Sequence, residues 1–257
     1  MKIATWNVNS VRARLDRLLG WLERARPDVV CLQELKLPVE DFPFDPLREA
    51  GYQAAVYGQR TYNGVAILAR DPLTDVVAGL GDGVSDDQAR LIAATVGGVR
   101  VASAYVPNGQ VVGSDKWEYK LAWLDRLGAW LERHAVSETP LALCGDFNIA
   151  PEDRDVAQPE QWRRTVLCHE EGRAALSRAL AGRVTDAIRL HHEGPGPYSW
   201  WDYRQLAFPK GNGLRIDHVF LTAVLAERCR AATVHRDERK GKLPSDHAPV
   251  VVEIDDG

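Results

Sequence analysis

The stretch "LALCGDFNIAP", residues 141–151, is an apolar run that ends abruptly in polar side chains able to act on a substrate. Its first five residues are typical of a buried strand, and Gly145 then introduces Asp146 and Asn148. A simple turn would explain these residues as well, because Asp and Asn hydrogen-bond to nearby backbone amides. The same pattern recurs along the chain, and that recurrence favours a functional site over a series of unrelated turns.

Other short runs rich in β-branched residues, bounded by Gly, Pro, Asn or Asp, predict further strands. They cover residues 2–6, 28–32, 53–58, 64–70, 90–96, 99–106, 215–222 and 248–254. Apolar periodicity predicts helices over 11–26, 115–131 and about 171–181. Many strands with few, scattered helices favour stacked sheets covered by helices over a regularly alternating βαβ fold.

Length and composition are those of a soluble protein with a large core. The chain has 257 residues, of which 45% are hydrophobic and 26% are charged. No linker or short-period repeat divides it, so we predict one domain over residues 1–257. The polar, irregular segment 151–170 is longer than most connections, which favours a functional loop.

The cysteines and the absence of targeting features indicate an intracellular protein. Cys31, Cys144, Cys168 and Cys229 form no C-x-x-C pair, which favours reduced, buried thiols over disulfides or a zinc site. The chain enters a strand-like run at once, without a signal sequence. No apolar stretch approaches the roughly 18 residues of a membrane span. We therefore expect a cytoplasmic protein that does not enter a membrane.

The overall charge does not predict a nucleic-acid binder, because the net charge is −4. Two local segments are basic, 12–26 and 228–242. By themselves both are more typical of solvated surfaces.

Six predicted strands carry oxygen-bearing or ionisable side chains at an end. These are Asn7 and Asn9, Gln33 and Glu34, Tyr105 and Asn108, Asp146 and Asn148, Asp217, and the adjacent pair Asp246 and His247. Each alone could be a turn or cap residue. If the strands share sheets, however, these ends can converge on one pocket held by a rigid scaffold.

Four of these side chains, Glu34, Asp146, Asp217 and Asp246, would repel one another if they were brought together without a cation. All-oxygen ligation without cysteine suits a hard cation, Mg²⁺ or Mn²⁺. Mg²⁺ commonly takes one or two protein carboxylates and completes its shell with water and substrate phosphate. The chain has no recognisable nucleophile elbow and no Gly-rich phosphate loop. These residues favour water as the nucleophile and a phosphoryl group as its target.

The successive motifs resemble those of the exonuclease III family of DNA-repair apurinic/apyrimidinic (AP) endonucleases. They are "WNVNSVRAR", "PDVVCLQELK", "YVPNG", "GDFNIAP", "SWWDYR", "GLRIDHVF" and "PSDHAPV", in order from residue 3 to about 254. "GDFN" and "SDHAPV" mark only the wider endonuclease/exonuclease/phosphatase superfamily, whereas "WWDYR" followed by "GLRID" is specific to the DNA-repair branch. The resemblance implies a four-layered α/β sandwich, with two packed, mainly antiparallel β-sheets flanked by helices.

The resemblance also implies roles for individual residues. Glu34 would be the principal Mg²⁺ ligand, with Asn7 close to it and Asp246 assisting, and Mn²⁺ is an alternative ion. His247 would contact the scissile phosphate and be oriented by Asp217. Asp146 would activate water or protonate the leaving oxygen. Tyr105 and Asn148 would bind phosphate oxygens, and Asn108 would contact the DNA backbone. The general base stays open between Asp146 and His247.

The implied substrate is double-stranded DNA that contains abasic sites or blocked 3′ ends, handled by a monomer. Trp200, Leu214 and Ile216 match the family's apolar pocket for a base-free sugar, although such residues are more often core. If Trp200 lines the pocket, the next residue, Trp201, points to the opposite face of an extended segment. Further candidate DNA contacts are Arg90, Lys116, Lys120, Lys242 and the two arginine-rich segments.

Two other functions share parts of this pattern. A phosphodiesterase of the same superfamily that acts on RNA, sphingomyelin or inositol phosphates would have the same metal centre, and the "WWDYR…GLRID" segment argues against it. A catalytically dead DNA-binding module would not need Glu34, Asp146, Asp217 and His247. The segment 109–115 is shorter than in some members of the family, and the segment 151–170 has an individual sequence. The balance of AP incision and 3′→5′ exonuclease activity therefore stays open.

Overall fold

A computed structural model describes residues 1–136 and 138–255, so the predicted domain includes three residues outside the described ones, 137, 256 and 257. The strands are β1 (Lys2–Asn7), β2 (Val29–Gln33), β3 (Gln53–Tyr57), β4 (Val65–Ala69), β5 (Thr74–Ala78), β6 (Leu91–Val96), β7 (Val99–Tyr105), β8 (Leu141–Asp146), β9 (Thr185–Asp186), β10 (Asp217–Leu221), β11 (Cys229–Val234) and β12 (Val250–Ile254). The α-helices are α1 (Val11–Ala25), α2 (Phe44–Glu49), α3 (Asp115–His134), α4 (Pro159–Trp162), α5 (Glu170–Leu180), α6 (Ala187–His191), α7 (Ala207–Lys210) and α8 (Ala223–Ala226).

The strands form two six-stranded sheets. The first has the order β11–β12–β1–β2–β4–β3, and the second has the order β5–β6–β7–β8–β10–β9. Neighbouring strands are antiparallel except for the pairs β1–β2 and β7–β8, which are parallel. The predicted class, two mainly antiparallel sheets flanked by helices, is confirmed.

Side-chain alternation produces the four layers. In β1, Ile3 joins the cluster between the two sheets, whereas Ala4 and Trp6 join the cluster under α1 and α2. In β8, Ala142 and Cys144 face the other sheet, whereas Leu141 and Leu143 pack with α3 and α5. Each sheet therefore has one face on its partner sheet and one face under helices, which is the predicted sandwich.

Most predicted elements match, and three strands were missed. The three predicted helices correspond to α1, α3 and α5 within a few residues. The missed strands lie at sheet edges: β5 is exposed along its length, β9 has two residues, and β11 lies within the basic segment 228–242. An edge strand needs little apolar alternation, so periodicity does not reveal it.

The cysteines lie where the sequence predicted, because all four are free and buried. Among the described residues, no helix combines the length and the apolar composition of a membrane span.

Gly145 allows β7 and β8 to approach each other directly before Asp146. A Cβ atom placed on Gly145 would lie 1.9 Å from the carbonyl oxygen of Ala104, which is its register partner in β7. Backbone atoms on a central strand cannot move aside without disturbing the sheet, so this position requires glycine.

We predict that Gly145→Ala lowers the free energy of unfolding by at least about 3 kcal/mol, because the added methyl group forces β7 and β8 apart. Thermal and urea denaturation of the purified variant would measure the loss. Gly194→Ala is the matched control, since a Cβ atom there meets no heavy atom within 4 Å. Equal stability of the two variants would contradict the prediction.

Candidate active site

Five strand ends meet where the layer between the sheets opens to solvent. Strand alternation places Asn7, Gln33, Tyr105, Asp146 and Asp217 on the same inner faces as the apolar inter-sheet residues. The strand register also sets them opposite one another: Asn7 with Gln33, Tyr105 with Asp146, and Asp217 with Asp146. The predicted convergence of polar strand ends is therefore confirmed.

Glu34 follows β2 in a left-handed conformation, with φ of 52°. Non-glycine residues rarely adopt this conformation, and such outliers often occur at functional sites. Its Oε1 accepts hydrogen bonds from the Tyr105 hydroxyl at 3.0 Å and from Asn7 Nδ2 at 2.9 Å. Its Oε2 lies 2.8 Å from Lys36 Nζ. Glu34 is thus held on all sides with its charge directed into the site.

Asn7 connects the two carboxylates of the site. Its Nδ2 donates to Glu34 and, at 2.9 Å, to Asp146 Oδ2, while its Oδ1 accepts from the backbone of Asn9. A metal ligand would have to present the amide oxygen instead. In this arrangement Asn7 is a bridge between carboxylates, and its predicted role as a ligand stays a prediction.

Asp146 is fully buried, and burial raises its pKa to about 7, an increase that the charge of His247 opposes. Its Oδ1 accepts a hydrogen bond from the backbone of Asn148 at 2.9 Å. A carboxylate with a raised pKa can accept a proton near neutral pH, as a general base must.

His247 is oriented by Asp217. Its Nδ1 lies 2.8 Å from Asp217 Oδ2, which leaves Nε2 facing the site at 3.8 Å from Asp146 Oδ2. Ser199 fixes Asp217 in turn, because the Ser199 hydroxyl donates to Asp217 Oδ2 at 2.6 Å and accepts from the backbone of Asp217 at 3.1 Å. Sequence reasoning missed Ser199, although it directly precedes Trp200 in "SWWDYR".

Carboxylates around His247 keep its ring charged. Burial alone would lower the pKa of the imidazole, but Asp217, Asp146 and Asp246 together raise it to about 10. A protonated ring cannot bind a metal, so Nε2 is a hydrogen-bond donor to whatever anion enters the site.

The residues present fit a divalent cation. Among the described residues, Glu34, Asp146 and His247 form a cluster whose candidate ligand atoms all lie within 4.8 Å of one another. Because the His247 ring is protonated, the donors for a cation in this cluster are the two carboxylates. The two carboxylates supply the hard oxygen donors that Mg²⁺ or Mn²⁺ prefers.

Asp246 lies at one side of this group. Its Oδ1 accepts from Asn9 Nδ2 at 2.9 Å and its Oδ2 from Trp200 Nε1 at 3.0 Å. Asn9 also accepts from Lys36, which reaches Glu34, so the two acids belong to one network. Asp246 therefore holds Trp200 in place, and its predicted assistance to the metal stays a prediction.

Asn148 and Asn108 are tied together beside Asp146. Asn108 Nδ2 donates to Asn148 Oδ1 at 3.0 Å, and Asn148, with φ of 50°, donates to the carbonyl of Val106. Beneath them Lys120 is fully buried and donates to the carbonyls of Asn108, Asn148 and Val166. The prediction that Lys120 contacts phosphate is therefore wrong, because its ammonium joins three loops inside the protein.

Two of the other predicted DNA contacts, Arg90 and Lys116, lie beside the site. Arg90 and Lys116 line an open groove together with Tyr105 and Asn108. Within that groove, Arg90 stacks on the Tyr105 ring at 4.9 Å.

Three of the four arginines of α1 differ from the prediction. Arg14, Arg17 and Arg24 bind backbone or acidic groups of the segment 238–244, so they support that loop. In the same segment Lys242 is exposed, as a phosphate contact must be.

Trp200 lies next to the site, and its backbone bridges to Leu214 and to His247. Leu214 and Ile216 are fully buried below it in one apolar cluster with Val156 and Val166, and Trp162 stands edge-on to Trp200 at 5.5 Å. Trp162 was missed because it lies in the irregular segment 151–170. Trp201 packs into a separate cluster, so the predicted divergence of the two tryptophans is confirmed.

This chain is similar to known nucleases in both sequence and structure. A family model described as "Endonuclease/Exonuclease/phosphatase family" matches residues 4–247. Exodeoxyribonuclease III of Haemophilus influenzae is 33% identical over 266 residues, which cover 99% of this chain and 100% of that protein. The structure of an AP endonuclease from Archaeoglobus fulgidus has a TM-score of 0.96 at 38% identity, with 99% of each chain covered. A 3′ phosphatase from Neisseria, bound to a product DNA hairpin, has a TM-score of 0.96 at 40% identity, also with 99% of each chain covered.

We predict that Asp217→Asn lowers the pKa of His247 from about 10, because the substitution removes the nearest negative charge from a buried ring. Titration of the imidazole by NMR in the metal-free protein would measure the shift. His235, bonded to Trp21 away from the site, serves as the internal control and should be unchanged. A wild-type His247 that titrates near the ordinary value of about 6.5 would contradict this electrostatic description.

Proposed function

The chain belongs to the endonuclease/exonuclease/phosphatase family as a nuclease of the exonuclease III type, and we propose that it cleaves the phosphodiester bond 5′ to abasic sites in double-stranded DNA. Cleavage leaves a 3′-hydroxyl. The same centre removes blocking groups from 3′ ends and degrades DNA in the 3′→5′ direction. We propose further that residues 1–257 act as one catalytic domain and as a monomer.

One observation carries this proposal. His247 Nε2, Asp146 and Glu34 face a common space. Asp217 and Asn7 hold these groups by hydrogen bonds, Asp217 to His247 and Asn7 to Glu34. The space therefore offers a charged donor, a carboxylate base and a cation site to a single phosphate. Attack of water on a phosphodiester needs these three elements.

Glu34 would hold Mg²⁺, with Asn7 and Asp246 as further candidates and Mn²⁺ as an alternative ion. A divalent cation supplies charge stabilisation at the phosphoryl oxygens. The protein's own groups do the rest. His247 donates from Nε2 to a phosphate oxygen, and Tyr105 and Asn148 bind and orient the phosphate. Asp146 takes the proton of the attacking water, because the neighbouring acids keep His247 protonated.

Specificity for the lesion is proposed to lie at Trp200, above Leu214 and Ile216. An abasic nucleotide has lost its stacking, so it leaves the duplex at low cost. Asn108, Arg90 and Lys116, at the groove on the other side of Tyr105, would contact the DNA backbone.

Activity at 3′ ends has its own support. Leu214 and Ile216 are buried in a packed apolar cluster, and a solved structure 40% identical to this chain is that of a 3′ phosphatase. A 3′-terminal phosphate needs the same donor, base and cation but no extruded sugar.

The first experiment is single-turnover cleavage of a duplex oligonucleotide with one abasic analogue, in Mg²⁺ and in EDTA. A matched duplex with a 3′-phosphate tests the second activity. Metal-dependent incision directly 5′ to the lesion supports the AP endonuclease proposal. Release of the 3′-phosphate without incision would restrict the function to 3′ ends, and inactivity on both duplexes would overturn it.

We predict that Glu34→Ala raises the Mg²⁺ concentration for half-maximal cleavage by roughly tenfold or more, because the cation loses a direct ligand. A Mg²⁺ titration of the cleavage rate measures this. Glu40→Ala, which removes an exposed acid outside the site, is the control. An unchanged Mg²⁺ requirement in Glu34→Ala would refute its role as a ligand.

We predict that Trp200→Ala reduces the preference for abasic over undamaged duplex by on the order of tenfold, the usual effect of one pocket contact. The measurement is the ratio of the two kcat/KM values. Trp200→Phe keeps the ring but removes the hydrogen bond to Asp246, so it separates pocket contact from support of Asp246. If the alanine variant keeps the wild-type ratio, Trp200 is a core residue only.

A further inference from the structure

Three exposed apolar side chains stand on strained backbone. Tyr62, Leu206 and Leu243 are 75%, 67% and 67% exposed, the highest values among the large hydrophobic residues that the structure describes. All three have positive φ, between 50° and 56°. A left-handed conformation is unfavourable for a non-glycine residue, and glycine or asparagine would largely avoid this cost. An exposed leucine there contributes nothing to the core that would offset this cost.

Leu243 is the best anchored of the three. Arg17 of α1 donates to the carbonyls of Glu238, Lys240 and Lys242, at 2.6, 2.9 and 3.0 Å. Beyond Leu243, the carbonyl of Pro244 accepts from Arg14 at 3.2 Å and from the Tyr203 hydroxyl at 2.8 Å. The backbone is therefore fixed on both sides of Leu243, and its side chain points away from these contacts into solvent.

The same loop is continuous with the active site. Arg239 donates to the carbonyl of Ser245. The Ser245 hydroxyl in turn donates to the carbonyl of Asn7 at 2.7 Å and accepts from the backbone N–H of His247 at 3.2 Å. Leu243 is four residues before His247, and this hydrogen-bonded segment connects the two. Its position relative to the phosphate-binding imidazole is thus set by the fold.

The chemistry beside Leu243 fits a nucleic acid. Lys242 is exposed, and its ammonium has no hydrogen-bond or ion-pair partner within residues 1–136 and 138–255. A cation next to a projecting apolar group matches a polymer in which phosphates alternate with the apolar faces of sugars and bases. A purely structural loop would need neither feature.

We propose that Leu243 is an apolar contact to the deoxyribose or base adjacent to the phosphate bound by His247. Arg14 and Arg17 are positioning residues that hold it there. The proposal rests on the proposed function, since it requires DNA as the substrate, and adds a DNA contact on the side of the site formed by residues 238–247.

The test uses Leu243→Asn in the full chain. Asparagine tolerates the left-handed backbone, so the variant removes the apolar group without disturbing the loop, and its melting temperature should equal or exceed that of the wild type. We expect kcat/KM on the abasic duplex to fall roughly 5- to 20-fold, mainly through KM, from the lost burial of one leucine. Leu243→Met should restore most of it. Leu190→Asn, at an exposed leucine of α6, should behave as the wild type.

A second readout reports the contact itself. A duplex with 2-aminopurine next to the abasic analogue should change fluorescence when wild type or Leu243→Met binds, and much less with Leu243→Asn. Unchanged KM and fluorescence in Leu243→Asn, with an active wild type, would overturn this inference alone. A large fall in melting temperature would overturn it too, by showing that Leu243 serves the fold. A wild type that neither binds nor cleaves duplex DNA would overturn the proposed function and this contact together.

Discussion

The structure depends on holding several carboxylates together in a space that water hardly reaches. Glu34, Asp146, Asp217 and Asp246 would destabilise one another if they stood alone, since like charges in a poorly solvated site repel strongly. Each therefore has a dedicated donor: Lys36 for Glu34, Asn7 for Asp146, His247 for Asp217, and Trp200 for Asp246. The sheets bring these pairs together, and Glu34 and Asp146 become part of a cluster with the geometry of a metal site.

Much of this arrangement could be predicted from local sequence. Strands with apolar cores and polar ends are visible because side chains alternate along a strand, and a shared sheet edge then brings the ends together. Edge strands are different. β5 and β11 carry exposed polar residues on one or both faces, so β11 was interpreted only as part of a basic segment. Their strand character comes from pairing with β6 and β12, which local sequence does not encode.

Long-range partners explain the remaining errors. Lys120, Arg14 and Arg17 are basic residues on helices and looked like contacts for phosphate. In the fold their charges meet backbone carbonyls that are distant in sequence, Asn148 and Val166 for Lys120 and the 240–244 segment for the two arginines. Ser199 was overlooked for the same reason, since its importance lies in Asp217. A sequence motif therefore reveals candidate substrate-contacting residues more easily than it reveals the residues that position them.

The order of strands in the first sheet has a consequence for how the protein is made. β1 is paired on one side with β2 and on the other with β12, and the Ser245 hydroxyl links the carbonyl of Asn7 to the backbone of His247. At a synthesis rate of about 5–20 residues per second, the ribosome needs roughly 10–50 s to travel between these two residues. During that time β1 has an unpaired edge, and His247 has not yet been synthesised. The nascent chain therefore has no nuclease centre, and cutting activity begins only when its last strand is in place.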